Sequence, residues 1–262
     1  MRILDLEARP FRELRYMNAA RRGGSEVTRL PIHRARVDRL PPGLDAIVAT
    51  SDLQGMAPLR SAFGQSRLLG ESLAELLVDL AEKGELPPLA RTGIVLAGDL
   101  YSDPAARQRG GLGDVTDVWL AFAKHFAWVT GVAGNHDELD VGLLAQLENA
   151  SFLDGSVVVH DEVRFGGVSG IIGNPARPQR RDEGAFLERV VQVLALDPDM
   201  LVLHEGPEGD DDQRGNSTLR EWVDEHPALV VCGHVHWERP LAERRRGGQI
   251  LNVDARAVVL GR

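Results

Sequence analysis

Five short apolar runs, each closed by a small or polar turn, constrain this chain more than any other feature. They are "LDAIVATSD" (44–52), "GIVLAGD" (93–99), "AWVTGVAGNHD" (127–137), "DMLVLHEG" (199–206) and "ALVVCGHVH" (228–236). Runs of Val, Ile, Leu and Ala bounded by Gly and Asp read as strands buried on both faces. Helical patterns lie between them. In "LGESLAELLVDLAEK", Leu69, Leu73, Leu76, Leu77 and Leu80 fall on one helical face; "VTDVWLAFAKHF" and "DEGAFLERVVQVLAL" read alike. "NSTLREWVDEH" is predicted to begin with a Thr218–Glu221 capping box. Strands alternating with helices indicate an α/β domain.

Two stretches break the alternation. "SVVVHDEVRFGGVSGIIG" and the final "GGQILNVDARAVVLG" are Gly-containing and have no helix between their apolar runs, so both are predicted as consecutive strands of a second sheet. "ERRRGGQ" is then a turn between late strands, with Arg244, Arg245 and Arg246 facing solvent. Residues 1–44 precede the first predicted strand. They are read as an Arg-rich extension packed on the core, with the domain proper at 45–262.

Composition narrows the function classes. A chain of 262 residues can bury a sizeable core. No segment reaches membrane-spanning length, and the opening "MRILDLEARPFREL" holds no uninterrupted apolar run. A single cysteine, Cys232, cannot form an internal disulfide. Together these predict a cytoplasmic protein without a membrane partner. The net charge is −9, yet the first forty residues hold ten Arg against five acids. That basic segment could meet nucleic acid, but an overall pI near 5.4 does not favour it. The oligomeric state is not written in the sequence.

The chemistry sits at the ends of the strand-like runs. In order, these offer Asp52 with Gln54, Asp99, Asn135 with His136, His204, and His234 with His236. In open α/β sheets ligands bind at the carboxyl ends of strands. Each turn alone is commonplace; five in succession, all bearing oxygen or imidazole ligands, point to a metal centre. Mixed Asp, Asn and His ligation suits Mn²⁺, with Fe or Zn²⁺ as alternatives.

The order D-x-Q, G-D, G-N-H-D, H and G-H-x-H resembles the calcineurin-like metallophosphoesterase superfamily, whose pattern has D-x-H in the first block. The resemblance runs from about Ala46 to the end of the chain. It implies a four-layer α/β/β/α sandwich with two divalent metal ions at one edge of the paired sheets. Asp99 would bridge both metals. Asp52, Gln54 and His236 would complete the first metal's shell, and Asn135, His204 and His234 the second's. Two cations a few ångströms apart lower the pKa of a shared water and clamp a phosphoryl group, so the implied activity is hydrolysis of a phosphate ester or anhydride. His136 would donate a hydrogen bond or proton toward the phosphoryl or leaving-group oxygen, with Asp137 orienting its ring or simply forming the turn.

Gln54 departs from the pattern. A glutamine oxygen is a neutral, weaker ligand than imidazole, favouring Mn²⁺ or Fe at that position, or leaving it to water. A D-x-Q-G block is similar to that of some bacterial dinucleoside tetraphosphatases, but the remaining motifs do not follow that subfamily. The substrate is therefore read only as a phosphorylated small molecule or nucleotide, phosphodiester or monoester. Asn174 and Arg177, in "IIGNPARPQRR", and Tyr101 are candidate substrate contacts. Two alternatives stay open: a non-catalytic scaffold of the same fold, and a nuclease that uses the basic N-terminal segment.

Overall fold

All five apolar runs become strands, and every residue in those strands is buried. The computed structural model describes residues 1–58, 66–108 and 110–262. The chain begins with β1 (Ile3–Leu6), β2 (Arg12–Ala19) and β3 (Ser25–Val37), followed by β4 (Ala46–Ser51) and α1 (Leu69–Glu82). Next come β5 (Thr92–Ala97), β6 (Gly113–Asp114), α2 (Thr116–Ala123), β7 (Trp128–Val132), β8 (Asp137–Glu138), α3 (Val141–Leu144) and β9 (Ala150–Phe152). The second half holds β10 (Ser156–His160), β11 (Val163–Val168), β12 (Ile171–Ile172), β13 (Arg180–Arg181), α4 (Glu183–Leu194) and β14 (Met200–Leu203). It ends with α5 (Ser217–Asp224), β15 (Leu229–Cys232), β16 (Leu241–Glu243), β17 (Gln249–Asn252) and β18 (Arg256–Gly261).

Two large sheets result. One runs β1-β3-β18-β4-β5-β7-β9, with β2 added on β3; the other runs β10-β11-β14-β15-β17-β16. β4, β5 and β7 are mutually parallel, as are β14 and β15, which is why their sequences are continuous apolar runs rather than alternating ones. Three hydrophobic clusters set the layers. Leu69, Leu73 and Leu77 of α1 and Trp119 and Phe122 of α2 pack with Val48, Ile94 and Val129 of the first sheet. Ile47, Val95 and Val132 meet Phe165, Val202 and Val231 between the two sheets. Phe186 and Val190 of α4 and Leu219 of α5 cover Leu201 and Val230. The order is helices, sheet, sheet, helices, and burying each such leucine or phenylalanine contributes roughly 1.5–3 kcal/mol as an upper bound.

Four details differ from the sequence reading. Residues 1–44 supply three strands of the first sheet. Their pattern is hidden because β3 buries Leu30 and Ile32 against the helices but Ala35 and Val37 between the sheets, with Arg29, Pro31, His33, Arg34 and Arg36 at the flanking and intervening positions. The last strand, β18, leaves the second sheet and enters the first between β3 and β4. Asn216, not Thr218, caps α5, its side chain accepting from Leu219 N. Arg244 is buried rather than solvent-facing.

The Arg244 guanidinium is spent on main-chain carbonyls. It donates to Val223, His226 and Ala228 at and beyond the end of α5, and to Gln249. A helix C-terminus leaves carbonyls without partners, and here one planar cation satisfies them together. Burial lowers its pKa to about 10, with Asp224 opposing the shift, so it stays charged at neutral pH. Arg244→Met should therefore destabilise the fold by about 2–4 kcal/mol, read as a shifted denaturant midpoint at unchanged m-value.

His160 generates a second expectation. Its ring stacks on Trp128 at 4.3 Å between centroids, and Nε2 meets Thr130 Oγ1 at 2.7 Å. Burial lowers its pKa from 6.5 to about 4, with Asp161 opposing. The folded state thus binds this proton less readily than the unfolded chain. Its contribution is complete above pH 6.5 and is lost as the pH falls toward 4. Denaturation at pH 7 and 4.5 should give His160→Phe a smaller loss of stability on acidification than the parent, by about 1–2 kcal/mol after solvent screening.

Candidate metal centre

Every candidate ligand lies just past a buried strand. Asp52 follows β4, Asp99 follows β5, Asn135 and His136 follow β7, His204 follows β14, and His234 follows β15. The first three positions belong to one sheet and the last two to the other, so the site straddles the seam between the sheets. Asp52, Asp99 and His234 all take a left-handed backbone, with φ of 54°, 54° and 66°. For residues with a Cβ this costs of order 1 kcal/mol or more each, and such strain collects at functional sites. The neighbouring glycines have a steric reason. A Cβ on Gly134 would overlap Asp99 Oδ1, and one on Gly233 would overlap Ser51 Oγ and Asp52 Oδ2.

Asp99, His204 and His234 converge, with one ligand atom from each lying within 4.8 Å of the others. His204 is fully buried. Its Nδ1 donates to the Ala97 carbonyl at 2.8 Å, which leaves Nε2 as the ligand atom. That nitrogen stands 3.3 Å from Asp99 Oδ1 but is not aligned for a hydrogen bond, and among the described residues it has no hydrogen-bond partner. Asn135 Oδ1 is the second buried polar atom of the site without a partner. Two orphaned ligand atoms beside a buried carboxylate are what a cation would satisfy, and the N/O donor set fits a divalent transition metal.

The electrostatics agree. Burial alone would raise the Asp99 pKa, but His204 and His136 overcome it and hold the carboxyl at about 2. Burial opposes protonation of His204, yet Asp99 and Asp52 lift it to about 10. Asp52 is raised well above the carboxylate range by burial and by Asp254 and Asp99, against His204. His234 is lowered to about 4 by burial and the His204 charge, keeping its imidazole neutral and able to ligate. Without a metal, the carboxylates of this site draw a proton onto His204.

The other expected residues surround this core. Asp52 Oδ2 accepts from Ser51 Oγ at 2.6 Å and from His234 N at 3.0 Å, tying the two sheets together. Gln54 Nε2 donates to Asp99 Oδ2 at 2.8 Å. The His236 side chain is 67% exposed and lies outside the Asp99–His204–His234 cluster; its Nδ1 contacts Asp254 Oδ2 at 2.7 Å. His136 donates its backbone N–H to Asp99 Oδ1, its Nε2 lies 3.8 Å from Asp99 Oδ2, and its Nδ1 meets the Gly111 carbonyl.

Asp137 does not touch the His136 ring. It accepts from the backbone N–H groups of Leu100, Tyr101 and Gly134, and so clips the turn after β5 to the turn after β7. Burial and Asp99 raise its pKa to about 6. Tyr101 is partly buried beside these turns. Asn174 and Arg177 are exposed on a turn in which Asn174 accepts from Ala176 N and Arg177 N.

Sequence reasoning missed Asp254, which holds His236, and Arg256, which is buried and donates to the carbonyls of Asp254 and Trp237. "NVDAR" carries no ligand motif of its own. Its one signal is a pair of opposite charges inside an apolar strand pattern, where unpaired charges are rare.

A similar fold occurs in a protein of known structure. No curated protein matches the chain. A crystal structure of TT1561 from Thermus thermophilus is 16% identical, covers 80% of this chain and 88% of that one, and superposes with a TM-score of 0.52. Phosphopantetheinyl hydrolase (PptH) from Mycobacterium tuberculosis is 15% identical over 80% of this chain and 88% of its own, with a TM-score of 0.45. The family description "Calcineurin-like phosphoesterase" matches residues 46–238, a span that opens at the first residue of β4 and closes just past the G-H-V-H turn. The chain belongs to the calcineurin-like phosphoesterase family.

Proposed function

We propose that the protein is a hydrolase that cleaves a phosphate ester or anhydride with two divalent cations, preferentially Mn²⁺, held at the seam of the sheets. One observation carries the reading: buried His204 Nε2 and Asn135 Oδ1 lack partners beside an ionised Asp99. Asp99 would bridge the cations, Asp52 and His236 would serve the first, and Asn135, His204 and His234 the second. When bound, such a pair supplies Lewis acidity toward phosphoryl oxygens and makes a coordinated water nucleophilic near neutral pH.

The chain's own residues do the rest. The Asp99 carboxylate is fixed by His136 N and Gln54 Nε2. His136 is held through Nδ1 by Gly111, leaving Nε2 to donate toward the phosphoryl or leaving-group oxygen when the ring is protonated. Asp137 keeps the two turns in register. The hydrogen bond from Gln54 to Asp99 supports the second of the two roles open to Gln54: it positions the bridging carboxylate, and the place of a histidine on the first metal is left to water. The nuclease alternative loses support because Arg2, Arg12, Arg29 and Arg39 of the basic segment are paired with Glu243, Glu85, Glu13 and Asp199. A phosphodiester or a nucleotide is the preferred substrate class within the main reading. Among the described residues no helix is long and apolar enough to cross a membrane.

Chelation should abolish hydrolysis of bis-p-nitrophenyl phosphate, and Mn²⁺ should restore it. Asp99→Asn should lose at least about 10³-fold in kcat and also lose metal content by elemental analysis. Metal-independent turnover, or an Asp99→Asn enzyme equal to the parent, would refute the proposal. Gln54→His should bind its weaker equivalent of Zn²⁺ about tenfold more tightly or better, read by competition with a chromogenic chelator; unchanged affinity would mean that Gln54 does not mark the open position.

A further inference from the structure

We infer that a small neutral pocket beside the metal centre, completed by the N-terminal hairpin, reads an amide-like edge, pairing a hydrogen-bond donor with an acceptor, on the group esterified to the phosphate. The inference rests on the phosphoesterase reading and specifies the part of the substrate that the metals do not hold. The cavity measures about 120 Å³ and is lined by Asn18, Gln54, Tyr101, Ser102, Gln108 and Gly110. It adjoins the centre on two sides. Gln54 bonds Asp99 directly, and a Cβ on Gly110 would come within 3.3 Å of the His136 ring.

Its chemistry is unlike that of a phosphate site. Among the described residues lining it there is no charged side chain, only three amides, a phenol and a hydroxyl. Two of the amides are already half committed. Asn18 Oδ1 accepts from Ala19 N at 2.7 Å, so its Nδ2 is the group left to donate. Gln54 Nε2 donates to Asp99, so its Oε1 is the group left to accept. A donor and an acceptor offered together match a ligand edge that carries an acceptor beside a donor, as a nucleobase or a carboxamide does. An unfunctionalised alkyl or aryl group would leave these polar groups unpaired on binding, which polar sites penalise strongly.

Asn18 is held for this task. Its strand β2 is pinned to the first motif by reciprocal backbone bonds between Met17 and Met56, both 2.9 Å. The Tyr16 ring lies against Gly55, where a Cβ would overlap it. The hairpin therefore fixes Asn18 relative to Gln54 through contacts no more than two residues away on each side. Tyr101 is set from the other side, its backbone N–H donating to Asp137 and its ring filling the space over Gly113.

The test uses the Mn²⁺-loaded full chain and four probes: p-nitrophenyl phosphate, bis-p-nitrophenyl phosphate, adenosine 5′-monophosphate p-nitrophenyl ester and the phosphate ester of N-acetylethanolamine. With the same leaving group, the parent enzyme should prefer the adenosine diester over bis-p-nitrophenyl phosphate by at least tenfold in kcat/KM. In Asn18→Leu that ratio should fall to within threefold of unity, and kcat/KM for the amide ester relative to p-nitrophenyl phosphate should fall at least tenfold from its parent value, both chiefly through KM. Saturation-transfer NMR with uncharged adenosine and N-acetylethanolamine, on metal-free protein, should show binding to the parent and none to Asn18→Leu; which probe responds assigns the source of the edge. Turnover of bis-p-nitrophenyl phosphate with no selectivity, or selectivity unmoved by Asn18→Leu, overturns the pocket and leaves the phosphoesterase reading standing. Absence of metal-dependent turnover on every probe overturns that reading, and nucleoside binding that Asn18→Leu abolishes would then keep the pocket as a binding site alone.

Discussion

A carboxylate buried between two sheets and still ionised is the constraint around which this molecule is arranged. Asp99 is 2% exposed, so its charge must be met at short range. The His136 amide and the Gln54 side chain meet it from the first sheet's loops, and His204 meets it from the second sheet. Because an unpaired buried charge costs several kcal/mol, the two sheets must come together in one register. Asp52 also bridges the sheets, accepting from Ser51 in its own sheet and from the His234 backbone across the seam. The site and the sheet-to-sheet packing are thus one structural problem.

The backbone is bent to serve that charge. Left-handed conformations at Asp52, Asp99 and His234 turn the chain toward the seam within a residue or two of a strand's end. Glycines at 134 and 233 clear the volume they occupy. The strain is tolerated because the flanking strands are completely buried and their ladders leave the turns no alternative path.

Much of this was legible in the residues. Apolar runs located the central strands of both sheets, because burial on both faces writes a continuous signal, and the polar residue closing each run located the loops that carry the candidate ligands. The N-terminal strands were not legible. β3 changes the face it buries midway, and arginines interrupt the alternation that would mark it. Arg244 was misplaced for a related reason: a guanidinium can be buried if carbonyls receive it, and an arginine triplet does not show which member has that geometry. Nor could the sequence show that Asp137 serves backbone amides, since the partners are main-chain groups present at every residue.

The position of β18 has a consequence for how the chain is made. β18 lies between β3 and β4, so β3, which pairs locally with β1 and β2, joins the parallel strands of its sheet through a strand that lies far later in the sequence. Pairings between distant segments form late, because loop closure must precede the contacts that reward it. The central strands can pair with one another before β3 joins them, while β2 has attachments of its own, among them the Met17–Met56 bridge and the Tyr16 ring against Gly55. Chemistry and recognition thus rest on different parts of the fold: the candidate ligands gather where the two sheets meet in the core, and the hairpin that carries Asn18 is tied to that core through β18.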